Sequence, residues 1–285
     1  MADFVIDDTN FNDPARPDGM KGCIPRDFSV QPRKMQAVNF PLIPESEYSP
    51  RIKEMEATKS RLSDIRMAGD NGSMIRSYDQ NGQGFCWAYS TTAAVTLLRA
   101  KANAPHVRLS AHAVACKIKG FQDEGGWGAQ SMEFVGVHGV PSEAAWPAKS
   151  MDPRLDNPAT WADAARHKIS EGWADLDSQV WDRQMAFDQV ATLLLSRVPV
   201  VGDFHFWSHS VCLMDLVDLS GSQLRDDSGK LAGLPAMLAA FEVTGGFGPR
   251  LWNSWSDAWG SNGTAVLSGS KAIPDAAVAP LVTDA

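Results

Sequence analysis

The chain has 285 residues, 34 acidic and 26 basic, for a net charge of −8. No basic stripe runs along it, which argues against nucleic acid or an anionic membrane surface as a main partner. The length suits one large domain or two lobes around a full core, and no apolar stretch approaches the ~20 residues that span a bilayer.

The first eight residues, Met1 to Asp8, lack both a basic start and a long apolar core, so no signal peptide is expected. Residues 1–48 then carry Pro14, Pro17, Pro25, Pro32, Pro41 and Pro44, with Pro50 just beyond. That density forbids long helices and reads as an extended, wrapping arm. Val38, Phe40, Leu42 and Ile43 suit it to an apolar groove. Ser49 to Met67 places Ile52, Met55, Leu62 and Ile65 at loose helical spacing, which predicts a short helix. Residues 1–69 therefore form an arm plus helix, either a pro-segment over a cleft or an arm that reaches assembly partners through residues 1–48. Asp70 to Asp79 is turn-rich.

The stretch Gln80-Asn81-Gly82-Gln83-Gly84-Phe85-Cys86-Trp87-Ala88-Tyr89-Ser90 follows, and good helix formers continue it from Thr91 to Lys101. Cys86 thus sits where a glycine-bearing loop becomes a helix, and the positive end of the helix dipole favours its thiolate. Taken alone, a cysteine beside a tryptophan is more often core than site. Ser110 is placed as an N-cap in Leu109-Ser110-Ala111-His112-Ala113-Val114-Ala115-Cys116. Glu124-Gly125-Gly126-Trp127-Gly128 is either a simple turn or a place where another backbone approaches closely. Met132 to Val137 is expected to be helical, and Gly139 to Pro147 follows it.

Residues 150–180 are polar and weakly patterned. Met185 to Leu195 reads as an amphipathic helix, and Val198-Pro199-Val200-Val201 as the start of a strand. Ser208-His209-Ser210-Val211 leads into the apolar run Cys212-Leu213-Met214. An insertion is expected at about 216–240, with a short helix over Leu231 to Ala240. Then come Leu251-Trp252-Asn253-Ser254-Trp255-Ser256-Asp257-Ala258-Trp259-Gly260, a last strand at Ala265 to Leu267, and a tail over 275–285. No internal repeat is present, no cluster of His, Cys, Asp or Glu has metal-ligand spacing, and no cofactor is called for.

Four of these stretches, in this order, resemble the papain-like cysteine proteases: the Gln80–Ser90 segment, Glu124–Gly128, Ser208–Val211 and Leu251–Gly260. The resemblance implies an α+β fold of two lobes, a helical left lobe carrying Cys86 and a β-barrel-like right lobe carrying His209 and Asn253, with the site in the cleft between them. The peptidase domain would run over 70–274. Cys86 would be the nucleophile, His209 its base, Asn253 the residue orienting His209, and Gln80 an oxyanion donor. Gly125, Gly126 and Trp127 would line the substrate, together with Trp207 and Trp255, the latter shielding the His209–Asn253 pair. His205, four residues before His209, is the rival base. His209 lies 123 residues after Cys86 and Asn253 167 after it, against roughly 130–150 in the family. The substrate is then a peptide or protein. Two alternatives remain: an acyltransferase of the transglutaminase type, and a structural subunit of a virion or other assembly. The four cysteines, Cys23, Cys86, Cys116 and Cys212, are expected to be free thiols in a reducing, cytoplasmic setting, with incorporation into a virion as the alternative.

Overall fold

The structure is a computed structural model and describes residues 4–11, 21–32, 41–69, 72–176, 183–220 and 243–281. Val38 and Phe40 of the arm and the expected helix Leu231 to Ala240 lie outside these residues. Seven α-helices are described: α1 Tyr48–Ala57, α2 Leu62–Ala68, α3 Cys86–Lys101, α4 Ala111–Lys119, α5 Gly128–His138, α6 Pro158–Ala164 and α7 Arg183–Leu195. Seven strands accompany them: β1 Val5–Ile6, β2 Trp173–Asp175, β3 Val200–Phe204, β4 His209–Asp218, β5 Phe247–Trp252, β6 Thr264–Leu267 and β7 Ala276–Pro280. They form one sheet in the order β1-β6-β5-β4-β3-β7-β2, antiparallel except for the β1–β6 pair.

Two apolar cores correspond to the two lobes. One joins α3, α4 and α5 around Trp87, Leu97, Val114 and Met132. The other joins α7 to the sheet around Phe187, Leu194, Phe204, Leu213 and Leu251. Strand β4 serves both, because successive side chains of a strand point to opposite faces. Cys212 and Met214 enter the helical core, whereas Val211, Leu213 and Leu216 enter the sheet core. A two-sided strand of this kind reads as a continuous apolar run, which is the pattern after His209.

The local signals explain several boundaries. The helix expected over Ser49 to Met67 is two helices, because Lys59 takes a left-handed φ of 51° and Arg61 opens α2 as a new N-cap whose amide and guanidinium both donate to the Asp64 carboxylate. Ser110 is the N-cap residue of α4 by position, but its hydroxyl makes no capping bond. Asn157 caps α6 by accepting from the Ala159 and Thr160 amides, with Pro158 at the first helical position. That start signal lies inside the stretch read as weakly patterned. Residues 276–280, assigned from sequence to a tail, form β7 between β3 and β2 in the sheet. The short side chains of Ala276, Ala277 and Ala279 disguise a strand, since alanine is a poor strand former and gives little apolar contrast.

Much of the N-terminal arm docks on its own chain. Val5 and Ile6 extend the sheet edge at β6. The Ile43 amide donates to Thr192 Oγ1 on α7 at 3.0 Å. Arg26 and Asp175 form an ion pair at 2.9 Å with both side chains 2% exposed.

Candidate active site

Cys86 is the first residue of α3, and Phe85 before it is the N-cap. A helix start leaves backbone N–H groups without intrahelical acceptors, and they point outward around the first residues. The approach loop is pinned on both sides. The Gly84 amide donates to Asp123 Oδ1 at 2.8 Å, and Trp87 Nε1 donates back to the Gly84 carbonyl at 3.0 Å. Phe85 fills the helical core and is fully buried, edge-on to Trp87 and His112.

His209 opens β4, and Asn253 follows the last residue of β5, its neighbour in the sheet. His209 Nε2 and Asn253 Oδ1 lie 2.8 Å apart. The Ser254 amide also donates to Asn253 Oδ1 at 2.8 Å, which identifies that atom as the acceptor. An acceptor there requires the proton on Nε2, so the neutral ring carries its lone pair on Nδ1. Nδ1 is buried and makes no hydrogen bond. Trp255 lies over the ring at 4.6 Å between centroids, and Trp207 meets it edge-on at 4.9 Å. Both tryptophans thus enclose His209 and keep water from its bond to Asn253. His205, the rival base, lies by Asp275 instead, its backbone amide donating to Oδ2 at 2.7 Å and its ring Nδ1 3.9 Å from the same oxygen.

Gln80 is fully buried. Its Oε1 accepts from Ser254 Oγ at 2.6 Å, and its Nε2 donates to the Gln83 carbonyl at 2.6 Å. The serine hydroxyl therefore aims the amide nitrogen toward the loop that carries Cys86. Ser254 was missed as a positioning residue in the sequence reading. Its signal was present, since it sits between Asn253 and Trp255 in the stretch that carries the resemblance.

Gly125, Gly126 and Trp127 lie together with the arm. The Gly126 amide donates to the Gly22 carbonyl at 2.9 Å, and the Ile24 amide donates to the Gly126 carbonyl at 3.0 Å. These two bonds make a parallel bridge centred on Cys23 and Gly126. From the other wall, the Ser208 carbonyl accepts from the Gly22 and Cys23 amides at 3.1 and 3.0 Å. Trp127 Nε1 donates to Gln31 Oε1 of the arm at 2.5 Å. A Cβ on Gly126 would sit 2.6 Å from the Trp87 indole, so only glycine fits there. Residues 21–24 therefore lie along the groove between the lobes, in front of Cys86.

This occupancy sets the electrostatics. Cys86 and His209 are both fully buried. Burial pushes the Cys86 thiol up to about 12, although the Ser210, Gly22 and Trp87 amides pull it the other way. Burial pushes His209 down to about 4, against the bond to Asn253. Loss of water disfavours each charged form, so the pair rests here as thiol and neutral imidazole. The helix-start position expected to favour the thiolate is outweighed while the groove is filled. All four cysteines are free and buried. A cavity of about 640 Å³ opens elsewhere, beside α1 and α2 with Arg61, Arg66 and Arg250 in its wall, and holds none of these residues.

The profile of the papain family cysteine proteases matches residues 61–213. Among solved structures, xylellain, a cysteine protease from Xylella fastidiosa, superimposes with a TM-score of 0.54 at 17% identity, covering 93% of this chain and 97% of that one. The digestive procathepsin L2 of the Tenebrio molitor larval midgut gives 0.51 at 16% identity, covering 74% of this chain and 64% of that one. The procathepsin L 3 of the same tissue gives 0.50 at 19% identity over 73% of this chain and 66% of that one, so the chain spans about two thirds of the procathepsins' length. No curated protein matches the sequence. At these identities the structural likeness establishes the α+β two-lobe fold. The profile match, spanning more than half of the 285 residues, establishes the lineage: this chain belongs to the papain family of cysteine proteases.

Proposed function

We propose that the chain is a thiol peptidase hydrolysing peptide bonds through Cys86, and that residues 21–24 hold it latent. The carrying observation is the His209–Asn253 bond, which leaves Nδ1 as the basic nitrogen of a ring enclosed by Trp207 and Trp255. In the open site the Cys86 thiol gives its proton to Nδ1, and the thiolate sulfur bonds to the substrate carbonyl carbon. The carbonyl oxygen takes up the negative charge, facing the Cys86 backbone N–H and the Gln80 amide. The C–N bond then breaks as His209 returns the proton to the leaving amine. Water, deprotonated by His209, releases the acyl group from sulfur.

Latency is supported by what the arm presents to the nucleophile. The Gly22 amide lies against the Cys86 sulfur and the Ser208 carbonyl, so an N–H rather than a carbonyl carbon faces the thiol. The arm binds as an inhibitor, not as a substrate. Docking of residues 4–11, 21–32 and 41–48 on their own chain favours the pro-segment reading of the arm over the assembly reading.

An epoxide-type thiol probe with mass-spectrometric mapping tests the nucleophile. In the full-length protein Cys86 should label slowly, and in a Gly22→Val variant it should become the one rapidly alkylated thiol. Rapid labelling of Cys116 or Cys212 with Cys86 inert would remove Cys86 from the reaction. Gln80→Ala should lower turnover roughly 100- to 1000-fold with the Cys86 N–H still in place, as expected for the loss of one oxyanion donor. An unchanged rate on the best peptide would take Gln80 out of the site.

A further inference from the structure

One buried titratable group in the helical lobe has no part in the chemistry above. His112, on α4, is 1% exposed, and both of its ring nitrogens are bonded. Nδ1 lies 2.5 Å from the hydroxyl of Tyr89, one turn beyond Cys86 on α3. Nε2 meets Oε1 of Gln83, whose own Nε2 donates to Met151 Sδ at 2.8 Å. An amide oxygen only accepts, so His112 Nε2 carries the ring proton and Nδ1 accepts from Tyr89. Burial, aided by the charge of Lys149 and opposed by that of Asp123, lowers His112 to about 4 and keeps the ring neutral.

The bond from His112 ends on the loop beside the oxyanion donor. Asn81 and Gly82, at the loop tip, are exposed and take left-handed φ values of 55° and 79°. Gly84 is tied to Asp123, an exposed residue, whereas Gln83 is tied to a buried histidine, where exclusion of water strengthens the bond. The Gln83 carbonyl in turn accepts from Gln80 Nε2, and Ser254 Oγ donates to Gln80 Oε1. Bonds at both ends of a planar amide fix its plane, and with it the direction of each N–H. Ser254 sets one end from the sheet lobe. Tyr89, His112 and Gln83 set the other from the helical lobe. A chain of hydrogen bonds thus runs from α3 and α4 through the oxyanion donor to Ser254, Asn253 and His209. A misplacement of about 1 Å at a reacting group can cost on the order of 100-fold in rate, so whatever fixes the Gln83 carbonyl bears on turnover.

Resting on the peptidase reading, we propose that His112 is a positioning residue for acyl transfer, setting through Gln83 the direction in which Gln80 meets the oxyanion. It touches no reacting atom, so its loss falls on kcat and spares KM. Because the enzyme must be open, the test compares His112→Asn and His112→Gln in the full-length Gly22→Val chain. Asparagine places a polar atom near Nδ1 and cannot reach Gln83. Glutamine places its amide nitrogen near Nε2 and can donate to Gln83 Oε1. His112→Asn should lower kcat roughly 10- to 100-fold with KM nearly unchanged, and His112→Gln should recover most of that loss. In a Gln80→Ala background His112→Asn should change kcat by less than about twofold, since the donor it directs is gone. Reaction of Cys86 with a dipyridyl disulfide, which forms no oxyanion, should keep one rate in all these variants. An equal loss in both backgrounds, asparagine as active as glutamine, or a slowed thiol reaction overturns the positioning role while leaving the peptidase reading standing. If the Gly22→Val chain cleaves no peptide and its Cys86 does not react, the peptidase reading fails and the role with it. Should His112→Asn not fold, Gln83→Met, which removes the side-chain acceptor and keeps the carbonyl, decides by the same comparison.

Discussion

His209→Ala in the opened, full-length chain should lower peptidase turnover by at least three to four orders of magnitude, and adding Cys86→Ala should cost little more. The rival base His205 has its ring Nδ1 3.9 Å from Asp275, and Nδ1 of His209 is the nitrogen whose tautomer the Asn253 bond prepares for proton acceptance. Groups that act as one unit are grossly non-additive, so either loss alone removes nearly the whole chemical step. What survives is the roughly 10³-fold effect of binding and oxyanion donors over water. The measurement is single-turnover cleavage by both single variants and the double variant. Additive losses, with the double variant far below either single, would mean that Cys86 and His209 do not share a proton.

Gly22→Val in the full-length chain should raise turnover by roughly two to three orders of magnitude. A Cβ at position 22 would stand 2.0 Å from the Gly84 carbonyl oxygen, far inside contact distance. The Gly84 loop is pinned by Asp123 and by the start of α3, so the arm is the part that gives way. Displacing it forfeits the four main-chain bonds among Gly22, Cys23, Ile24, Ser208 and Gly126. At about 1 kcal/mol net each, their loss shifts the closed-to-open balance by up to about 10³. Water then returns to Cys86 and His209 and lifts the burial that disfavours their charged forms. The check is kcat/KM on a peptide substrate, with the rate of Cys86 labelling read in parallel. A protein no more active than the parent, yet equally folded, would show that residues 21–24 do not control access.

The arm divides what sequence reading reached from what it did not. Its six prolines marked it as an extended segment that must lie on some surface, and Gly125-Gly126 marked a place where a second backbone could approach. Nothing in either stretch says that they meet. The bonds between them run through main-chain atoms, which every residue carries, so composition leaves no trace of them. The sequence left the pro-segment and assembly readings of the arm both open, because an extended segment suits either surface.

The helix beginning at Cys86 was legible because it depends on local residue chemistry, a glycine-bearing loop turning into a run of good helix formers, whereas the α+β class and the candidate set Cys86, His209, Asn253 and Gln80 came through the resemblance of four stretches to the papain-like proteases. Sequence by itself determined which groups can act. Only the tertiary structure decided their state. Burial beneath residues 21–24 makes Cys86 and His209 neutral where the helix start alone favours a thiolate, and Ser254 aims Gln80. Those outcomes follow from distances between segments remote in the chain, and loss of water at a charged group is a property of the enclosure rather than of the residue.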